Sequence, residues 1–391
     1  IAAHLGNIGL VYNDQQNYPK AIAYYQRALK INKEIDNKSF MAANLSNMGL
    51  AIYYQNNYPK ALTYFQRALK LNEELNNKSY IAANLLNLGL VYSKLNNNKK
   101  ALAHYKKALA IEEELGSKSR IGKNLTNMGK VYTSQRNYAK ALEFYQKALS
   151  SFESAGGKYD KATNLGYTGD LFNRKKQHEI ALKYLLESLG INKKIGVEDA
   201  SNYSHLTTSY WAIGKKKMAA NYLDTLLNIT NKNILLNFTI LPESAKHLYV
   251  KNVEKSYWKY NSFVLKNGSD FPVMAGRAYN TTVKNKGLLL KSNTAMRNAI
   301  YGSTDSTLIK AYDDWIVLKN QIANIYANGE DATDLTRLAD SLEGNLVKNS
   351  NEFSDFKKMQ RVDWKQIQNG LKESEVAIEF THFPLLNPDS S

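Results

Sequence analysis

Apolar positions in the first half of the chain fall at steps of three and four, with polar residues filling the gaps. Leu45, Met48, Gly49 and Ile52 make one such stripe, and Ala61, Tyr64, Phe65 and Ala68 make the next, so each stretch predicts an amphipathic helix. The pair then recurs at an interval of forty residues. Leu5, Gly9, Tyr12, Ala21, Tyr25 and Ala28 return as Leu85, Gly89, Tyr92, Ala101, Tyr105 and Ala108, then as Leu125, Gly129, Tyr132, Ala141, Tyr145 and Ala148. A weaker fifth copy carries Leu165, Gly169, Phe172, Ala181, Leu185 and Ser188. Units this small cannot bury their own apolar faces, so a constant period predicts a solenoid of stacked helical hairpins.

Polar positions mark the helix ends. Ser39, Ser79 and Ser119 precede the first helix of a unit, and Asn17, Asn57 and Asn137 precede the second. Both residue types are suited to accepting a bond from an orphan backbone amide. Pro19 and Pro59 fall in the first turn, where a missing N–H costs nothing. Gly49 and Ala61 are expected to let the two helices of a hairpin approach, while Tyr25 and Phe65 are expected to fill the space between hairpins.

The order Leu45, Met48, Gly49, Tyr53 or Ile52, Ala61, Phe65, Ala68 resembles the tetratricopeptide repeat. The units are about six residues longer than usual, with the extra length at Lys70–Lys78, and in this are similar to those of kinesin light chains and spindle-orientation adaptors. The resemblance implies five hairpins over 1–190. A degenerate sixth over 191–230 keeps the spacing through Tyr203, Leu206, Tyr210, Ala219 and Tyr222.

Beyond Asn231 the pattern stays helical without repeating. Helices are expected at Pro242–Lys266, Phe271–Ala299, Ser306–Tyr326 and Asp331–Ser350, separated by the turn signals Asn267-Gly268, Gly302-Ser303 and Asn328-Gly329. The period then changes, and Glu375–Thr381 alternates as a β-strand would. A lone strand is unstable by itself. The expected fold class is therefore all-α: a superhelical solenoid, a helical connector over 231–361, and over 362–391 the first strand of an incomplete α/β domain.

The run Asn285-Lys286-Gly287-Leu288-Leu289-Leu290, then Trp315 and Leu318, then Val362-Asp363-Trp364 and Glu375–Phe380, is similar to the opening of a CHAT domain. That caspase-like fold is commonly fused behind tetratricopeptide repeats in bacteria, and its members are cysteine peptidases with a His–Cys dyad. Neither catalytic residue maps here, because the chain has no cysteine and His382 is followed by Phe383-Pro384 where the family has glycine. A histidine without its nucleophile cannot cleave a peptide bond. The chain is expected to be no enzyme, and to be the recognition and regulatory arm of such a protease. The alternatives are a free-standing adaptor or signalling sensor and, further off, a partner of an RNA-guided effector.

Composition narrows these readings. Among 391 residues there is no apolar run long enough to span a membrane, and without cysteine there are no disulfides or thiolate metal sites. The six histidines show no ligand spacing, so no metal or cofactor is expected. The first residue is Ile1, which suggests a trimmed start; a cytoplasmic location is expected, although a removed signal peptide stays open. The net charge of +17 is uneven. Residues 1–230 hold 32 Lys and Arg against 17 Asp and Glu, and the remainder 20 against 18. Such a field could attract nucleic acid or an acidic protein. Residues such as Lys20, Lys30, Lys60, Lys70, Lys106 and Lys107 also serve simply to solvate the outer helices, and the aromatics sit at core spacing, so direct nucleic-acid binding is not expected.

Two asparagine columns carry the sharpest chemical signal. Asn7, Asn47, Asn87 and Asn127 hold one repeat position, and Asn44, Asn84, Asn124 and Asn164 hold another three residues earlier. Asparagine is a mediocre helix former, so its repetition lacks an obvious stability rationale. In tetratricopeptide repeats the first helix lines the concave groove, and the Asn47 position resembles a ladder that holds an extended peptide by its backbone. A carboxamide both donates and accepts, as that task requires. Duplication of one ancestral unit would copy the same residues. Both columns are taken as candidate groove residues for a protein or extended-peptide partner.

Overall fold

The structure, a computed structural model, describes residues 1–15, 17–238, 243–281, 300–302, 305–327 and 333–349. Helices α1 (Ala2–Asp14) and α2 (Tyr18–Glu34) form the first hairpin, α3 (Lys38–Tyr54) and α4 (Tyr58–Glu74) the second, and α5 (Lys78–Lys94) and α6 (Asn98–Glu114) the third. The series continues with α7 (Lys118–Ser134) and α8 (Tyr138–Ala155), α9 (Lys158–Arg174) and α10 (His178–Lys194), then α11 (Ala200–Ala212) and α12 (Lys216–Phe238).

Asparagine starts most of these helices. The side chains of Asn17, Asn57, Asn97 and Asn137 accept the amides of Lys20, Lys60, Lys100 and Lys140 at 3.4, 3.2, 3.1 and 3.2 Å. Before the first helices the caps are Asn37, which accepts from Phe40 N, and Asn77, which accepts from Tyr80 N. The serines expected there, Ser39, Ser79 and Ser119, lie inside the first turn instead. The cause is the brevity of the connection. A single left-handed residue, Asn76 at φ +49° or Gly116 at φ +66°, ends the preceding helix, and the next residue already caps the new one.

Within each hairpin a glycine faces a large ring. A Cβ on Gly49 would lie 2.7 Å from Phe65 Cε1, and one on Gly129 would lie 2.5 Å from Tyr145 Cε1. Tyr25, Phe65, Tyr105 and Tyr145 thus cover the glycine of their own hairpin, whereas sequence spacing assigned them to the gap between hairpins. The same exchange of bulk appears at a second site. The fourth unit alone has Phe152 where others carry Asn32, Asn72, Glu112 or Asn192, and Gly122 makes room for it, a Cβ there meeting the ring at 2.5 Å. Tyr25 is fully enclosed, and burial, with Asp14 second, pushes its phenol up to about 12.

Each second helix packs on the following first helix, and successive first helices also pack on one another, α1 with α3, α3 with α5, α5 with α7 and α7 with α9. Successive second helices do not pack to that extent. First helices therefore line the inner side of the stack and second helices its outer side.

The chain divides into two compact units at Ile229 and Thr230, within α12. In the second unit α13 (Glu243–Asn267) buries Tyr260 and Phe263, the latter 5.6 Å from the Phe271 ring. Residues 272–281 are helical. Helices α14 (Ser306–Ala327) and α15 (Thr333–Asn349) enclose Tyr312, Trp315, Leu318 and Leu346. Asp305 caps α14, and its bonds from the Thr307 hydroxyl and the Leu308 and Thr307 amides hold its carboxyl below the usual range. All regular structure among the described residues is helical. No helix among them is long and apolar enough to cross a membrane. The expected strand Glu375–Thr381, the segment 362–391 and the run Asn285–Leu290 lie outside the described residues.

Candidate functional site: the inner face of the first helices

The two asparagine columns separate in space. Three residues along a helix rotate a side chain to within about 60° of its starting direction, and here that difference crosses the boundary of the core. Asn47, Asn87 and Asn127 are half-exposed and Asn7 is exposed, and none of these four carboxamides bonds to a described residue. Asn44, Asn84, Asn124 and Asn164 are at most 5 % exposed.

The buried column is occupied with the protein itself. Nδ2 of Asn44, Asn84 and Asn124 donates to the carbonyl one turn back, on Phe40, Tyr80 and Arg120, at 2.8, 2.9 and 3.1 Å. Asn84 Oδ1 also accepts from Ser46 Oγ of the preceding unit at 2.8 Å, and Asn164 Nδ2 donates to Thr126 Oγ1 at 3.0 Å. These bonds tie one hairpin to the next, which is the stability role that helix propensity alone did not suggest. This second column is therefore not available as a groove-facing set. Asn124, opposite Leu86 of the preceding unit, and Asn164, whose neighbour Thr126 donates its hydroxyl to Gly122 O, both have Oδ1 without a donor among the described residues.

Around the open column the inner face changes character along the stack. Leu10, Leu50 and Leu90 stand one turn beyond the first three asparagines; the fourth and fifth units have Lys130 and Asp170 there, and Tyr167 replaces asparagine in the fifth. Lys130 Nζ lies 4.7 Å above the Tyr167 ring and 3.4 Å from its hydroxyl. Asp170 is gripped by Arg174 at 2.8 Å and faces His205 Nδ1 at 3.3 Å. Lys123 pairs with Asp160 at 3.4 Å. Tyr53, half-buried on the second hairpin, has its phenol pKa raised, first by burial and then by the phenols of Tyr58, Tyr54 and Tyr167, so it remains a neutral donor. One half of this face is thus apolar with amides, and the other charged. Spacing alone missed Lys130, Tyr167 and Asp170, since they interrupt the repeat; that interruption was the available signal. Among the described residues no cluster of His, Asp and Glu could hold a metal.

Residues 2–34, 40–114 and 120–194 match models of the tetratricopeptide repeat. These residues are recognised as tetratricopeptide repeats. Solved structures with the same fold include aspartyl phosphate phosphatase F from Bacillus subtilis, 16% identical with a TM-score of 0.52 over 68% of this chain and 68% of that one. RapI in its apo form is 17% identical, TM-score 0.52, over 67% and 94%. A Rap protein complexed with competence and sporulation factor is 15% identical, TM-score 0.51, over 73% and 75%. At these identities the likeness is one of fold. No curated protein matches the chain.

Proposed function

We propose that the tetratricopeptide repeats form a scaffold whose inner face holds an extended segment of a partner protein. Asn47, Asn87 and Asn127 are its backbone ladder, with the exposed Asn7 as its fourth member. The observation that carries this reading is a regular row of half-open carboxamides with no partner among the described residues, next to a buried row in which every Nδ2 donates inside the fold. Each free amide can donate to a C=O and accept from an N–H of a bound strand. The leucines beside the first three units suit apolar side chains of that segment, and the charged end suits polar ones. The Rap protein solved with competence and sporulation factor supports a fold of this kind accommodating a second molecule.

We further infer that this scaffold is the non-catalytic recognition and regulatory arm of a CHAT cysteine protease. The support is the sequence resemblance between Asn285 and Phe380, together with the absence of any cysteine from the chain. The coding sequence downstream of Ser391 tests that part: a His–Gly pair and a later cysteine are expected, and their absence would remove the protease.

For the groove, selection of binders from a random peptide library with the 391-residue chain should return extended sequences. The triple variant Asn47→Ala, Asn87→Ala, Asn127→Ala should lose them while keeping its helicity. Equal affinity of wild type and variant for the selected peptides would eliminate the ladder.

A further inference from the structure

The outer side of the same hairpins carries charge that helix stability does not explain. Over residues 18–32, 58–72, 98–111 and 138–151, which are the greater part of α2, α4, α6 and α8, there are twelve Lys and Arg and one acid, Glu143. The acids of these helices gather in or near the last turn, as Glu34, Glu74, Glu114 and Glu153, and none stands in a first turn. Lys20, Lys60, Lys100 and Lys140 occupy the third helical position, where a cation opposes the helix dipole, and the glutamates oppose it at the other end. The second helices of four successive hairpins carry this cation near the start, although in α2 Lys33 stands beside Glu34 in the last turn.

Several of the cations are also held in place over aromatic rings, and Lys147 pairs with Glu143 at 2.6 Å. Tyr12 stacks on Tyr24 at 5.3 Å and Tyr132 on Phe144 at 5.3 Å. Lys20 and Lys140 cover the first ring of each pair at 5.3 and 5.6 Å, while Arg27 and Lys147 cover the second at 5.4 and 5.8 Å. Arg67 and Lys100 sit in the same way over Tyr64 and Tyr92. Arg27, Arg67, Lys100 and Lys107 form no ion pair with any described residue. The His104 imidazole, stacked on Tyr92, is held below its ordinary pKa, first by burial and then by Lys107 and Lys100.

We propose that this outer band is a second docking surface, distinct from the inner groove, for an extended Asp- and Glu-rich polypeptide segment. Lys20 to Lys30 spans ten residues, about 15 Å of helix axis, and the glutamate ends border the band along its length. That strip takes one extended acidic chain running across the hairpins, whereas a broader polyanion would meet, beyond the strip, Glu74, Glu114 and Glu153 already paired with Lys38, Lys78 and Lys161, and so no further net positive charge. Of the rings under the cations, Tyr12 and Tyr24, Tyr92, and Tyr132 and Phe144 are already stacked on a neighbouring ring, which withholds from them the base-stacking that single-stranded nucleic acid uses. Cations fixed over rings lose less freedom on binding, which favours affinity.

The test uses the full 391-residue chain and fluorescein-labelled poly-L-glutamate, read by anisotropy. Binding is expected, and it should weaken as salt shortens the range of the charges, from about 10 Å at 0.1 M to about 3 Å at 1 M. Reversing four exposed cations that touch no ring, Lys30→Glu, Lys70→Glu, Lys106→Glu and Lys107→Glu, should weaken it about tenfold or more. The Asn47, Asn87, Asn127 triple alanine variant should bind poly-L-glutamate as wild type does, so failure of the groove and failure of the band are read separately. A melting curve accompanies each variant, with the same four positions changed to Gln as the substitute if the Glu form does not fold. Undiminished binding by the folded variant overturns the proposal. So does tighter binding of a DNA duplex, a DNA single strand or an anionic vesicle of equal charge, each of which would name a different partner class.

Discussion

Asn84 and Asn87 stand three residues apart on the same helix and do opposite things. Asn84 is 1 % exposed and spends its amide on Tyr80 O and Ser46 Oγ, whereas Asn87 is half-exposed and bonds to no described residue. The same contrast separates Asn44 from Asn47 and Asn124 from Asn127. A repeated polar residue in a solenoid can thus be a staple between units or an offered contact, and residue type does not distinguish the two. Enclosure does, because a buried amide must find partners inside the fold while an open one can keep them for a ligand.

The contrast is easiest to break through the open column. Changing Asn47, Asn87 and Asn127 together to Ala removes three sets of backbone bonds at about 1 kcal/mol each, so affinity for a selected peptide should fall about a hundredfold. The chemical-denaturation midpoint should hold or rise, since alanine is the better helix former. A lowered midpoint with unchanged affinity would invert the assignment of the two columns.

Next in size is Asn84→Ala. Loss of its two bonds and of its packing should cost about 2 kcal/mol of stability, measured by denaturation, with peptide affinity shifted less than the triple variant shifts it. Asn124→Ala sharpens the comparison further. Its Oδ1 has no donor, so it should cost about 1 kcal/mol less than Asn84→Ala, and equal losses would mean that the bond from Ser46 contributes nothing. Asn7→Ala should matter least. Asn7 is exposed where the other three are half-enclosed, so affinity should change by less than about threefold, about 0.7 kcal/mol.

The repeat period, the hairpins and the asparagine caps of the second helices were legible because each depends on local spacing. The caps of the first helices were misread by two residues, at Ser39 in place of Asn37, since the shortness of the turn depends on a left-handed residue whose conformation spacing does not reveal. Of the candidate site, the existence of two columns was legible and their difference was not. Both columns look alike as one-dimensional patterns, and only the neighbouring hairpin, through Ser46, Thr126 or Leu86, decides which amide is engaged.

By itself the sequence determined that this protein stacks helical hairpins, because a forty-residue period of apolar stripes leaves no other way to bury them. Tertiary structure alone decided which side each polar side chain serves. A rotation of about 60° around one helix separates core from groove, and the pairing of Gly49 with Phe65, or of Asn84 with Ser46, fixes that rotation through contacts made across helices and units. Such contacts join residues sixteen and thirty-eight positions apart, beyond the reach of any local pattern.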